Sequence, residues 1–125
     1  MHELSVTQGM LSVVLEHAQQ AGAKRITRIV LVIGNFSTFV DESVQFYFDI
    51  ISKGTIAEGA ELLFHHAPGR LHCWDCGQDF TWAERILPPG CPHCGSARLQ
   101  FTGGNEFYVE SIEVEDPLEE EVAEE

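Results

Sequence analysis

The sequence has few basic residues. Seven lysines and arginines stand against 20 aspartates and glutamates, and the formal charge of the 125-residue chain is −13 at pH 7. The stretch from Glu110 to Glu125 contains nine acidic residues and no lysine or arginine. Because such a surplus of negative charge repels phosphate backbones, it counts against nucleic acid as the partner.

Long apolar runs are also missing. No stretch is apolar enough to span a bilayer, and the first residues lack the charged, apolar and small-residue regions of an export signal. A chain of this length can bury one core of ordinary size and carry a small metal-bound lobe. We therefore expect a cytoplasmic protein with no membrane partner.

Motifs of catalysis are absent as well. The sequence contains no glycine-rich phosphate loop with a lysine and no evident Ser-His-Asp set. No cysteine stands apart as a candidate nucleophile, because all of them fall into one repeated pattern. We therefore expect that the protein is not an enzyme.

The cysteines form two Cys-x-x-Cys pairs. Between the pairs lie 14 residues, and a glycine follows each pair, Gly77 and Gly95. Four thiolates that converge on one ion suit Zn²⁺, which favours a tetrahedral sulfur shell and has no redox chemistry. Two disulfides are the alternative, but they need an oxidising compartment, and nothing in the sequence indicates export. The spacing predicts a structural zinc site with the ligands Cys73, Cys76, Cys91 and Cys94.

The remaining sequence alternates between helix and strand patterns. Its periodicity predicts a helix from Leu4 that ends near Gly22, a strand over 26–33, a helix over 42–53 capped by Asp41, and strands over 60–66 and 107–114. We therefore expect an α+β fold, in which two helices pack on a small three-stranded mixed sheet and a Cys₄ zinc-ribbon-like lobe is inserted between two of the strands. In domain terms, residues 1–69 and 103–115 form the α/β domain, residues 70–102 the lobe, and residues 116–125 a disordered acidic tail.

The N-terminus can act as a metal chelate. The α-amine of Met1, the backbone amide of His2 and its imidazole are close enough in the chain to bind one ion. The amine and the amide close a five-membered ring on the ion, and the amide and the imidazole close a six-membered ring. A planar set of nitrogens suits Ni²⁺ or Cu²⁺ better than Zn²⁺. Glu3 can supply a fourth donor. The alternative is that His2 is an ordinary exposed histidine.

One order of features runs through nearly the whole chain. Met1-His2-Glu3-Leu4-Ser5 opens a helix, a strand ends in Gly34, and a helix follows Asp41. Cys-x-x-Cys, Cys-Pro-x-Cys-Gly and a final Val-Glu-Ser-Ile-Glu-Val-Glu strand come after them. In this order the features resemble the HypA/HybF family of hydrogenase nickel-incorporation proteins. The resemblance extends to about Glu115, and the chain departs from the family pattern at 35–37 and 96–97.

The resemblance implies a nickel metallochaperone for the maturation of [NiFe]-hydrogenase. In that family the N-terminal residues bind nickel as a transient cargo and the cysteines hold structural zinc, which assigns these roles here to Met1, His2 and Glu3 and to the four cysteines. The family's partners are the GTPase HypB and the hydrogenase large subunit, and some members also serve urease.

His72 and His93 each lie beside a cysteine. They can hydrogen-bond to the sulfur ligands and so link the zinc site to pH or to nickel loading. The alternative is that both are exposed imidazoles on a polar loop.

Two other functions compete with nickel delivery. The paired Cys-x-x-Cys-Gly motifs are also the loop pattern of a rubredoxin-like iron electron carrier. A zinc-ribbon scaffold for protein interactions is the second alternative, and it predicts that partner binding does not depend on His2.

Overall fold

Two helices and six strands form the part of the chain that the structure, a computed structural model, describes, residues 3–115. In chain order they are α1 Glu3–Gln20, β1 Arg25–Gly34, α2 Asp41–Ile51, β2 Glu61–Ala67, β3 Gly69–Cys73, β4 Asp79–Trp82, β5 Leu99–Gly103 and β6 Phe107–Glu115. One three-stranded sheet has the order β2-β1-β6 and the other the order β4-β3-β5. The predicted α+β class, with two helices, a small sheet and an inserted four-cysteine lobe, is confirmed. Neither helix is long and apolar enough to cross a membrane.

The described chain divides into two compact units. The first comprises residues 3–31, 39–64 and 108–115, and it contains both helices. Its core includes the part of β1 up to Leu31, where Ile26, Ile29 and Leu31 are buried, and one face of each helix. In α1 the buried side chains recur at helical spacing, as Met10, Leu11, Val14 and Ala18.

The helix α1 ends as the sequence predicts. Gly22 adopts a left-handed backbone conformation, with φ of 69°. Its N–H donates to the carbonyl of Gln19, and the N–H of Ala23 donates to the carbonyl of Ala18. This pair of bonds is the Schellman motif, which satisfies the last carbonyls of the helix and favours glycine at this position.

The start of α2 differs from the prediction. Asp41 was expected to cap the helix, but Val40 occupies the cap position, with an extended backbone and no side-chain cap bond. The carbonyl of Val40 accepts hydrogen bonds from the N–H groups of Ser43 and Val44. Asp41 is instead the first helical residue, where its charge still complements the positive end of the helix dipole.

The second unit comprises residues 32–38 and 65–107, and β3 is the central strand of its sheet. β3 pairs antiparallel with both β4 and β5. Its inward side chains follow period two, since Gly69, Leu71 and Cys73 are buried. The sequence patterns did not predict these three strands, which are only four or five residues long, and no residue of β4 or β5 is buried.

Candidate metal centre

The first Cys-x-x-Cys pair lies in a tight turn at the end of β3. The N–H of Cys73 donates to the carbonyl of Gln78, and the N–H of Gly77 donates back to the carbonyl of Cys73, each at 2.9 Å. Gly77 has a φ of 76°, a conformation that L side chains rarely adopt. The turn therefore needs this glycine in order to carry two sulfurs on one side.

The second pair repeats the same turn. The N–H of Cys91 donates to the carbonyl of Ser96 at 2.8 Å, and the N–H of Gly95 donates to the carbonyl of Cys91 at 2.7 Å. Gly95 has a φ of 78°. The two turns are thus equivalent, residue for residue, and each presents one buried and one exposed cysteine.

The four sulfurs lie at the corners of a compact group. Cys73 Sγ is 3.6 Å from Cys94 Sγ, and Cys76 Sγ is 3.7 Å from Cys91 Sγ. All four atoms lie within 4.8 Å of one another. A metal with bonds of about 2.3 Å to four tetrahedral thiolates needs sulfur–sulfur edges of about 3.8 Å. The thiols are free, and the spacing is far above a disulfide bond of about 2.05 Å. Within residues 3–115 this is the only His, Cys, Asp or Glu group found that could hold a metal.

Backbone donors and neighbouring thiols set the acidity of the group. The N–H of Cys76 is the main cause that lowers the pKa of the Cys73 thiol to about 6, and the N–H of Asp75 adds to it against the effect of burial. The N–H of Ser96 acts to lower the pKa of the Cys94 thiol, but donation to the Cys73 thiolate and burial outweigh it and raise that pKa to about 12. Four thiolates at this spacing repel one another, and a divalent cation offsets that repulsion.

The two histidines beside the cysteines have different surroundings. His72 Nδ1 lies 2.6 Å from Asp79 Oδ1 on the neighbouring strand, and its ring packs edge-on against Trp74 at 5.0 Å between centroids. His93 is exposed, and its backbone N–H donates to Cys91 Sγ at 3.3 Å. The hydrogen bond from this position to a sulfur therefore comes from the backbone. A link between either ring and the metal stays a prediction.

The proposed nickel ligands lie at the edge of what is described. Met1 and His2 lie outside the described residues. Glu3 begins α1 and is partly buried. Its carbonyl accepts a hydrogen bond from the hydroxyl of Thr7, a buried polar residue one turn along the helix. The backbone of Glu3 is thus tied into the first turn of α1.

Three side chains near the cysteines were missed by the sequence patterns. The carboxylate of Asp75, inside the first turn, accepts hydrogen bonds from the hydroxyl of Ser96 and from Arg98 Nη1, both after the second turn. Each of these residue types is common on protein surfaces, and no local spacing marks the three as a group. The hint in the sequence is that Ser96 and Arg98 closely follow Cys94.

Comparison with known proteins finds relatives that match nearly the whole chain. Residues 1–114 match the family model described as "Hydrogenase/urease nickel incorporation, metallochaperone, hypA". The hydrogenase maturation factor HypA of Caldanaerobacter subterraneus subsp. tengcongensis is 43% identical over 116 residues, which cover 92% of this chain and 100% of the relative. The hydrogenase maturation factor HybF of Salmonella typhimurium is 39% identical over 115 residues, 92% of this chain and 100% of that protein.

A solved structure agrees with this result. The solution structure of the Ni metallochaperone HypA from Helicobacter pylori superposes with a TM-score of 0.65 at 27% identity, covering 92% of this chain and 98% of that one. Both the overall fold and the cysteine-bearing region thus fall within the matched length. This chain belongs to the HypA family of hydrogenase and urease nickel-incorporation metallochaperones.

Proposed function

We propose that this protein binds Ni²⁺ at its N-terminus and delivers it during the maturation of [NiFe]-hydrogenase, while its four cysteines hold a structural zinc ion. The observation that carries the proposal is the family match over residues 1–114, because that length includes both the N-terminal residues and the cysteine group. The role is the handover of an ion rather than catalysis.

The proposed cargo site consists of the Met1 amine, the amide and imidazole of His2, and Glu3. Nitrogen donors in adjacent chelate rings impose a planar arrangement, which Ni²⁺ accepts and Zn²⁺ disfavours. A short terminal site of this kind also suits transfer, because few protein contacts have to rearrange when the ligands open. The site requires that the Met1 amine is free.

The proposed resident metal is zinc. The donors are four thiolates, which are soft ligands, and the sulfur edges of 3.6 and 3.7 Å fit a tetrahedral shell. When bound, zinc crosslinks the two turns and supplies no redox chemistry. The chain's own contribution is to bring the sulfurs to this spacing through two glycine-containing turns.

The proposed cellular setting follows from the family. The partners are the GTPase HypB and the hydrogenase large subunit, and the location is the cytoplasm. In this scheme residues 1–69 and 103–115 are the nickel-binding domain and residues 70–102 the zinc lobe. The acidic residues 116–125, which lie outside the described part of the chain, are the expected tail.

The experiment is a calorimetric titration of zinc-loaded protein with Ni²⁺. His2→Ala and a variant with one extra residue before Met1 should each lose nickel affinity by at least about tenfold, because each removes a donor or disrupts the chelate rings. The matched control is His17→Ala, which removes an exposed histidine from the last turn of α1. This control should bind nickel as the wild type does.

The same variants should be compared in hydrogenase-producing cells whose own family member has been deleted. Loss of hydrogenase activity with His2→Ala, and not with His17→Ala, is the expected result. If the extended N-terminus and His2→Ala both keep wild-type nickel affinity, the N-terminal cargo site is wrong.

A further inference from the structure

The carboxylate of Asp75 joins the two cysteine turns. Asp75 lies between Cys73 and Cys76 in the first turn. Its Oδ1 accepts a hydrogen bond from Arg98 Nη1 at 2.7 Å, and its Oδ2 accepts one from the hydroxyl of Ser96. Both donors belong to the segment that follows the second turn, so each oxygen of one carboxylate is held by the opposite half of the site.

The partners of this carboxylate are themselves fixed. The hydroxyl of Ser96 donates to Asp75 and also accepts a hydrogen bond from the N–H of Arg98 at 3.0 Å. The carbonyl of Arg98 accepts from the N–H of Trp74, the residue before Asp75, at 2.9 Å. Two side-chain bonds and one backbone bond therefore connect the two segments, and a third side-chain bond, between Ser96 and Arg98, orders the second segment. A closed network of this kind restrains the segments more firmly than one isolated ion pair does.

The network lies next to a sulfur ligand in each turn. In the first turn Asp75 is the chain neighbour of the ligand Cys76. In the second, the carbonyl of Ser96 accepts from the N–H of Cys91. A displacement of Asp75 relative to Ser96 would therefore move the backbone at two of the four ligands.

The two turns are equivalent in backbone, yet only the first carries this carboxylate. The position in the second turn that corresponds to Asp75 is occupied by His93. A carboxylate beside a group of thiolates would ordinarily add repulsion, but Arg98 neutralises its charge. The pair thus connects the turns without adding net negative charge to the site.

We propose that Asp75 is a positioning residue for the metal centre, which holds the two cysteine turns at tetrahedral spacing through Ser96 and Arg98 and thereby slows loss of the resident metal. This inference rests on the zinc half of the proposed function. It does not depend on how nickel is bound.

The test measures how fast zinc moves from the loaded full-length protein to an excess of the chromogenic chelator 4-(2-pyridylazo)resorcinol. Asp75→Asn removes the charge and one acceptor oxygen, and Ser96→Ala removes the hydroxyl. Because hydrogen bonds to charged groups are strong but the Asp75 side chain is 40% exposed, we expect transfer about tenfold faster in Asp75→Asn. The double variant should be no faster than the faster single variant, since both changes break the same network.

The matched control is Asp49→Asn, the same chemical change on α2. Asp49 also accepts a side-chain hydrogen bond, from Gln45 Nε2 at 2.8 Å, but it belongs to the first unit. Its zinc transfer rate should equal that of the wild type. The far-UV circular dichroism of every variant should keep the helical signal, because both helices also lie in the first unit.

A second readout separates positioning from general loss of stability. Proteins loaded with Co²⁺ in place of zinc report the ligand geometry through their ligand-field absorption. We expect these bands to shift or broaden in Asp75→Asn and Ser96→Ala but not in Asp49→Asn. A role confined to stability would lower the unfolding midpoint and leave the bands unchanged.

The outcomes are distinct. Wild-type zinc content with a transfer rate and cobalt spectrum equal to wild type in Asp75→Asn would overturn the inference while leaving the zinc site intact. If Asp75→Asn does not retain zinc through purification, the comparison passes to Ser96→Ala, where faster transfer supports the inference and an unchanged rate overturns it. A wild-type protein that takes up no zinc would overturn the zinc site and this inference together.

Discussion

Replacing Gly69 with alanine should destabilise the second unit through one steric contact. A Cβ at this position would lie 2.0 Å from Cε2 and 2.1 Å from Cζ of the Phe36 ring. The backbone of Gly69 itself can accept alanine, because its φ is not positive. The ring cannot retreat freely, since it also packs edge-on against Phe101 at 5.3 Å. Overpacking of this kind costs about 1–3 kcal/mol, and we expect the loss of stability to fall in that range.

The two units can be followed by different spectroscopic signals. Both tryptophans, Trp74 and Trp82, lie in the second unit, whereas both helices lie in the first. Urea unfolding of the zinc-loaded protein should therefore be followed by tryptophan fluorescence and by far-UV circular dichroism. Gly69→Ala should lower the midpoint of the fluorescence transition.

Two further variants make this prediction specific. Gly9→Ala is the matched control, because a Cβ there meets nothing within 4 Å and alanine is favoured in a helix by about 1 kcal/mol. It should raise the midpoint seen by circular dichroism. In a Phe36→Ala background the clash is gone, so adding Gly69→Ala should cost less than about 0.5 kcal/mol. Equal costs of Gly69→Ala with and without the ring would refute the steric argument.

Three other predictions concern individual contacts. Cys91→Ser should lower the zinc content of the purified protein and the urea midpoint of tryptophan fluorescence, because one of four ligands is lost; normal zinc content by elemental analysis would contradict it. Asn35→Asp should destabilise the second unit by about 1–2 kcal/mol, because it removes the Nδ2 group that donates to the carbonyl of Ala83 at 2.6 Å. An unchanged fluorescence midpoint would count against this bond. Arg28→Gln should cost less than about 1 kcal/mol, because its ion pairs to two glutamates on the flanking strands are largely exposed, and high salt should reduce the difference in urea midpoint; a larger loss that is independent of salt would contradict a surface role.

The sequence predicts those parts of the fold that depend on local pattern. The first helix and its end at Gly22 follow from helical spacing and from one glycine, and both are signals within a few residues. The cap of α2 is a harder case, because Val40 has no cap-forming side chain and Asp41 beside it does. Val40 occupies the cap position because its backbone is extended, although Asp41 has the side chain that favours capping. β3 carried a weak signal that could have been used, since Leu71 and Cys73 alternate with polar neighbours.

The metal site likewise has one part that the local sequence predicts and one part that it does not. The ligand set follows from cysteine spacing alone, because a Cys-x-x-Cys turn is a local structure. The link from Asp75 to Ser96 and Arg98 depends on which two segments the folded chain brings together, and no periodicity encodes that. The N-terminal chelate stays a prediction, because Met1 and His2 lie outside the described residues.

A protein that binds both zinc and nickel, as we propose for this chain, has to keep the two ions apart, and ligand geometry is one means of doing so. Affinity alone would not suffice, because thiolates also bind nickel and the intrinsic order of affinities does not separate it sharply from zinc. With bonds of about 2.3 Å, four sulfurs in a square plane would have edges of about 3.3 Å, whereas a tetrahedron requires about 3.8 Å. The edges of 3.6 Å between Cys73 and Cys94 and 3.7 Å between Cys76 and Cys91 lie closer to the tetrahedral value. Turns held at this spacing favour zinc over a planar ion, whereas the nitrogen donors of the proposed N-terminal site have the opposite preference. If the turns were free to rearrange, the thiolates could capture nickel, so the restraint that we propose between the turns would protect the proposed cargo as well as retain zinc.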